Sequence, residues 1–121
     1  MAWDIEGTDE FAAWYGILTD AEQQNVAFAI GYLEQSGPGL GRPFVDTVKG
    51  SRHAHMKELR PRSGNIRVFS AFDPRRTGIL LIGGDKTNHW QSFYELMIPM
   101  ADDLFDAYLG ELRAEGLLDG T

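Results

Sequence analysis

Three stretches decide the fold: His55-Met56-Lys57-Glu58-Leu59-Arg60, Asn65-Ile66-Arg67-Val68-Phe69-Ser70-Ala71-Phe72 and Gly78-Ile79-Leu80-Leu81-Ile82-Gly83. The first two alternate in character, as a strand with two different faces does, and the third is an apolar run of strand length. Pro61 to Gly64 and Asp73 to Gly78 supply Pro, Gly and Asp where hairpin turns would fall. The pattern predicts an antiparallel meander with strands near 54–61, 65–73 and 77–84. Phe44 to Val48 is a further short strand or a loop, and Ala2 to Glu6, with Trp3 and Ile5 on one face, suits an edge strand. The expected sheet thus has three to four strands.

On either side the period is helical. Thr8 precedes Asp9 and Glu10, an N-cap followed by acids in the first turn. Phe11, Trp14, Tyr15 and Leu18 recur behind it at helical spacing. Thr19 with Glu22 three residues on has the form of a capping box, and Val26, Ala29, Ile30 and Leu33 form the stripe of the next helix. Gly37-Pro38-Gly39 ends it. The pair predicts a helical hairpin over 8–18 and 20–35. After Lys86, Trp90, Phe93, Tyr94, Met97 and Ile98 share a face, and Leu104, Phe105, Tyr108, Leu109 and Leu112 extend it. Pro99 falls between, so the C-terminal helix is expected to break near it. The fold class is α+β, a single domain over 1–121, with most aromatics at helical spacing (Trp14, Tyr15, Trp90, Tyr94, Tyr108) assigned to the core.

Composition agrees with a globular chain. Hydrophobic residues reach 43% and charged ones 24%, which excludes a disordered polymer. There is no cysteine, so neither a disulfide framework nor a thiolate zinc site is available. No apolar run approaches the roughly 18 residues of a membrane span, and the start is acidic where a signal peptide would be basic. The expectation is a soluble, cytoplasmic protein with no membrane partner.

The net charge of −7 hides a sharp division. Residues 42–86 hold ten of the eleven Lys and Arg against four acids, a segment charge of +6, and the remainder carries −13. A basic middle between acidic ends suggests an anionic partner for the middle, or simple neutralisation within one small fold. Strand alternation places His55 and Lys57 with Leu59 on one face and Met56, Glu58 and Arg60 on the other. Arg67, Phe69 and Ala71 likewise oppose Ile66, Val68 and Ser70. A face bearing Lys and Arg beside an aromatic suits a phosphate backbone, because guanidinium forks bind phosphate bidentately. It equally suits a solvated outer face. His53 and His55 have the i, i+2 spacing of strand ligands, yet no carboxylate completes a set, so no metal and no cofactor is expected. Gly83-Gly84-Asp85-Lys86-Thr87 departs from the phosphate-loop pattern, which excludes nucleotide hydrolysis by that route.

Met56-Lys57-Glu58-Leu59-Arg60, Gly64-Asn65-Ile66-Arg67-Val68-Phe69 and Arg76-Thr77-Gly78-Ile79-Leu80-Leu81-Ile82-Gly83-Gly84-Asp85-Lys86-Thr87 together resemble the RelE/ParE superfamily of toxin–antitoxin toxins. Within it the HigB-type, phage Gp49-like branch is the nearest variety. The resemblance implies two helices, an antiparallel sheet and a C-terminal helix. It also implies a metal-independent, ribosome-dependent mRNA endoribonuclease that inhibits translation and is silenced by a cognate helix-turn-helix antitoxin. Its partners would then be that antitoxin, the ribosome and mRNA. Carried over by motif, Arg60, Arg67 and Lys86 would bind the phosphate and spread its developing charge. Lys57, His55, His89 and Tyr94 are the second-rank candidates for proton transfer. The acidic ends and the long acidic segment after residue 90 depart from the family pattern. They leave two alternatives: a non-enzymatic, ParE-like inhibitor of DNA gyrase, and a prophage binding protein without catalysis.

Overall fold

The computed structural model describes residues 2–62 and 64–118. In chain order the elements are β1 (Ile5–Gly7), α1 (Asp9–Gly16), α2 (Asp20–Ser36), a 3-10 turn at Gly37–Gly39, β2 (Val45–Thr47), β3 (Lys57–Leu59), β4 (Ile66–Phe72), β5 (Gly78–Asp85) and α3 (Trp90–Ala114). The helical hairpin forms where its caps predict. Thr8 Oγ1 accepts from the Phe11 amide, and Thr19 and Glu22 complete a reciprocal capping box.

The sheet order is β1-β5-β4-β3-β2. β2 through β5 pair antiparallel, as the meander requires. The sheet exceeds the expected three to four strands because both short segments join it. β1 runs parallel to β5, with Gly78 donating to the Asp4 carbonyl and Thr8 to that of Leu80. β3 is also shorter than the 54–61 expected. Val48 donates to the Met56 carbonyl, closing residues 48–56 into an excursion. Its tip is fastened to α3 by the buried Asp102, which accepts from Ser51 Oγ and the Arg52 amide. The bond from Arg52 satisfies a backbone amide that a strand would have paired.

Helices cover both faces, so the sheet has no wholly solvated side. α1 and α2 bring Phe11, Val26 and Leu33 onto Leu59, Ile66, Val68 and Leu80. On the opposite face α3 brings Phe93, Met97, Ala101 and Phe105 onto Met56, Phe69, Ile79 and Leu81. Contrary to expectation, α3 passes through Pro99 without a break. Pro99 lies on the exposed side while Met97 and Ala101 are buried beside it. Packing of the two halves on one sheet outweighs the missing hydrogen bond, a cost of roughly 3 kcal/mol in an isolated helix.

Gly83 and Gly84 are spacers and not a phosphate loop. A Cβ on Gly83 would stand 2.4 Å from the Trp14 ring, and one on Gly84 would stand 2.8 Å from Phe93. Their lack of a side chain lets helices on both faces close over the end of β5. The next two residues are Asp85 and Lys86, so this approach fixes where Lys86 emerges.

Candidate active site

The register between β3 and β4 sets Glu58 opposite Phe69, and that between β4 and β5 sets Arg67 opposite Gly84. With the pleat, this turns Glu58 and Arg67 toward α3. Glu58 Oε1 accepts from Arg60 Nε and from the Tyr94 hydroxyl, each at 3.0 Å, and lies 3.3 Å from Arg67 Nε. Lys86 Nζ donates to the Tyr94 hydroxyl at 3.2 Å. Arg60, Arg67 and Tyr94 therefore meet around one carboxylate oxygen, and Lys86 joins them through the Tyr94 hydroxyl.

Charge in this cluster is unbalanced. Three cations face Glu58, and Asp46 contributes at the rim, 3.3 Å from Arg60 Nη2, while also pairing with Arg42. Arg67 Nη1 donates to the Ile66 carbonyl, and its buried Nε faces Glu58 Oε1 at 3.3 Å as an ion pair outside good hydrogen-bond geometry. The excess of positive charge favours an incoming anion. Solvent reaches the cluster chiefly through Arg60, whose side chain is 33% exposed against 12% for Arg67.

Lys86 is almost completely buried, its ammonium 3.5 Å above the Trp90 ring centre. Burial pushes its pKa below the ordinary lysine value and Arg67 adds to the fall, while Glu58 opposes it. Tyr94 is pushed up to about 12, first by burial and then by its bond to Glu58. Tyr94 is therefore a phenol at neutral pH, able to donate a proton and unable to accept one.

This shift predicts an alkaline limit to folding. An unfolded tyrosine ionises near pH 10, whereas folded Tyr94 holds its proton to about pH 12. Between those values the unfolded chain binds fewer protons, so Tyr94's share of stability, complete below about pH 10, is lost as the pH rises. Lys86 acts oppositely, because raising the pH toward the ordinary lysine value relieves the cost of its buried charge. Burial delays the ionisation of both Tyr94 and Tyr108, so phenolate absorbance should show late transitions of which Tyr94→Phe deletes one. An identical titration for the parent and this variant contradicts the assignment.

The structure does not bring the other sequence candidates into the cluster. Lys57 lies on the opposite face of β3, where its Nζ donates to Thr47 Oγ1. His55 is exposed and shares a cavity with Lys57. His89 sits one turn after Lys86, its Nε2 2.9 Å from the Asp85 carbonyl and its ring edge-on to Phe93. His53 is bound to Asp106. Trp90, expected in the core, is 57% exposed and roofs Lys86. Glu58 was not among the candidates. Its signal was an acid on the same alternating face as Arg60.

A sheet held between a helical hairpin and a C-terminal helix is similar to the fold of solved RelE toxins. The RelE–RelB complex from Pyrococcus horikoshii matches with a TM-score of 0.56 at 17% identity, covering 73% of this chain and 99% of that one. Among curated proteins, the candidate toxin HigB3 of Mycobacterium tuberculosis is 44% identical over 103 residues, covering 85% of this chain and 90% of HigB3. The candidate toxin HigB2 of the same organism is 42% identical over 116 residues, 93% of this chain, which spans 57% of the length of HigB2. The chain belongs to the phage-derived Gp49-like family (DUF891), whose model matches residues 13–106, and is of the HigB type.

Proposed function

We propose that this protein is the toxin of a type II toxin–antitoxin pair, and that it cuts mRNA on the ribosome without a metal. The observation that carries the reading is the net-positive cluster of Arg60, Arg67 and Lys86 around Glu58 and Tyr94. Such a site suits cleavage in which a ribose 2′-oxygen attacks the adjacent phosphorus and the 5′-oxygen of the next nucleotide departs. Arg60 and Arg67 hold the non-bridging oxygens, and Lys86 adds charge that counts most as the phosphorane forms. Glu58, the carboxylate at the centre, takes the 2′-hydroxyl proton. Tyr94, whose hydroxyl is held between Glu58 and Lys86, gives its proton to the leaving oxygen. The products are a 2′,3′-cyclic phosphate and a 5′-hydroxyl.

The relatives support a partner as well. A RelE-like chain has been solved with RelB bound, and this chain's antitoxin would silence it by covering the cluster. No helix among the described residues is long and apolar enough to cross a membrane. Induced expression in a bacterial host, with growth and total mRNA integrity followed together, tests the reading. The expected result is growth arrest with rapid loss of full-length mRNA, both relieved by co-expression of a cognate antitoxin. Arrest with intact mRNA would favour the gyrase-inhibitor alternative, and no arrest would leave a binding protein.

A further inference from the structure

His55 and Lys57, left outside the cluster, do not stand alone. They line a cavity of about 310 Å³ with Pro38, Phe72, Asp73 and Arg76. Through His55, Phe72 and Asp73 it continues into an adjoining depression of about 370 Å³ that reaches His53 and Arg52. The result is one groove around the end of the sheet where β4 runs out. Lys57 leaves β3 on the face opposite Glu58, and Phe72 lies five residues along β4 from Arg67, about 17 Å at strand rise, so this groove and the Glu58 cluster do not share a phosphate.

Charge in the groove is available. Most other arginines of the fold are quenched by acids, as Arg42 is by Asp46 and Arg52 by Asp103 and Asp106. Among the described residues, Lys57 and Arg76 meet no carboxylate. Lys57 Nζ uses one donor on Thr47 Oγ1, and the Arg76 guanidinium lies 4.9 Å from the centre of the Trp3 ring. The one acid in the lining, Asp73, has a fully buried side chain. It is engaged by Arg75, by the Thr77 amide and by the Tyr108 hydroxyl. Two positive charges thus stand in the groove unanswered, in a chain whose net charge is −7.

The turn between β4 and β5 fixes where Arg76 stands. Arg76 has φ 68°, the left-handed region that costs an L side chain free energy and favours Gly or Asn. The turn holds it there, with Arg76 donating to the Asp73 carbonyl and Asp73 to that of Thr77. Strained residues fixed in this way cluster at ligand clamps. Beside the cations, the Phe72 ring is set edge-on to Trp3 at 5.7 Å. Cations alternating with aromatic faces are the recognition chemistry of single-stranded nucleic acid, where phosphates meet Lys or Arg and bases stack.

We propose that this groove binds the backbone of a single-stranded RNA segment distinct from the strand cut at Glu58, with phosphates on Lys57 and Arg76 and a base against Phe72. The aromatic floor favours RNA over an acidic peptide. The binding does not require that the chain cleave RNA. The test is fluorescence anisotropy of a short labelled oligouridylate with the full chain across a salt series, comparing the parent, K57Q/R76Q and R67Q. The double variant should bind at least tenfold more weakly. Its slope of log affinity against log salt should fall by about 1.4, for two lost contacts at about 0.7 each on a single strand. The same loss should appear in the R67Q background, because the sites are distant and independent. R76Q alone should give half the slope change, should the double variant fold poorly. Binding by the double variant within twofold of the parent, no binding by the parent, or binding only of a glutamate-rich peptide would each overturn the groove. A chain that binds through this groove but leaves mRNA intact refutes the nuclease reading and spares this one.

Discussion

Arg67→Ala is expected to lower mRNA cleavage by roughly 10²–10³ and to abolish growth arrest while the protein stays folded. That is the usual loss when one fixed donor to a developing oxyanion is removed. Arg67 is the second residue of β4, held on a rigid element by its pairing with Gly84 of β5. Its guanidinium is only 12% exposed, so its placement is set by packing. Folding should tolerate the change. Glu58 keeps Arg60 and Tyr94 as donors, and one of three crowded cations disappears. Circular dichroism and antitoxin binding serve as controls. A folded variant that degrades mRNA like the parent would remove Arg67 from the site.

The second large effect belongs to Glu58. Glu58→Gln keeps an oxygen that can accept from Arg60 and Tyr94 but removes the one negative charge at the centre of three cations. Stripping one partner from a buried ion pair costs about 3–5 kcal/mol. Arg60 is a third exposed, so the low end, about 3 kcal/mol, is expected in urea unfolding. Inorganic phosphate should restore part of the loss, because an anion bound to the folded state stabilises it. At temperatures where the variant is folded, cleavage should still fall by roughly 10²–10⁴, as for a missing general base. Stability within about 0.5 kcal/mol of the parent would show that Glu58 does not hold the cations together.

Much of this architecture is legible in the sequence because it rests on local chemistry. Thr8 and Thr19 cap their helices with neighbours three residues away, and the change of period at residue 55 marks the meander. Alternation alone separates Lys57 and His55 from Arg60, as the structure does. Features that join distant residues are not legible. β1 adds to β5 through three residues whose pairing spans most of the chain. Residues 48–56 leave the sheet because Asp102, about fifty positions away, receives Ser51 and Arg52. Pro99 misleads because a local rule about helix interiors meets a tertiary interface that overrides it. Glu58 was visible as a residue on the Arg60 face. Its central position follows only from the strand register and from Tyr94 reaching across from α3.

The chemistry of the cut end decides whether a 2′-oxygen attacks the phosphorus. Purified chain, programmed ribosomes and a defined mRNA are combined, and the 3′ ends released are examined by mass spectrometry. The expected ends carry a 2′,3′-cyclic phosphate or its hydrolysed monophosphate, formed only when ribosomes are present and absent with Arg67→Ala. Intact mRNA, or cut ends bearing a 3′-hydroxyl and a 5′-phosphate, would contradict that attack.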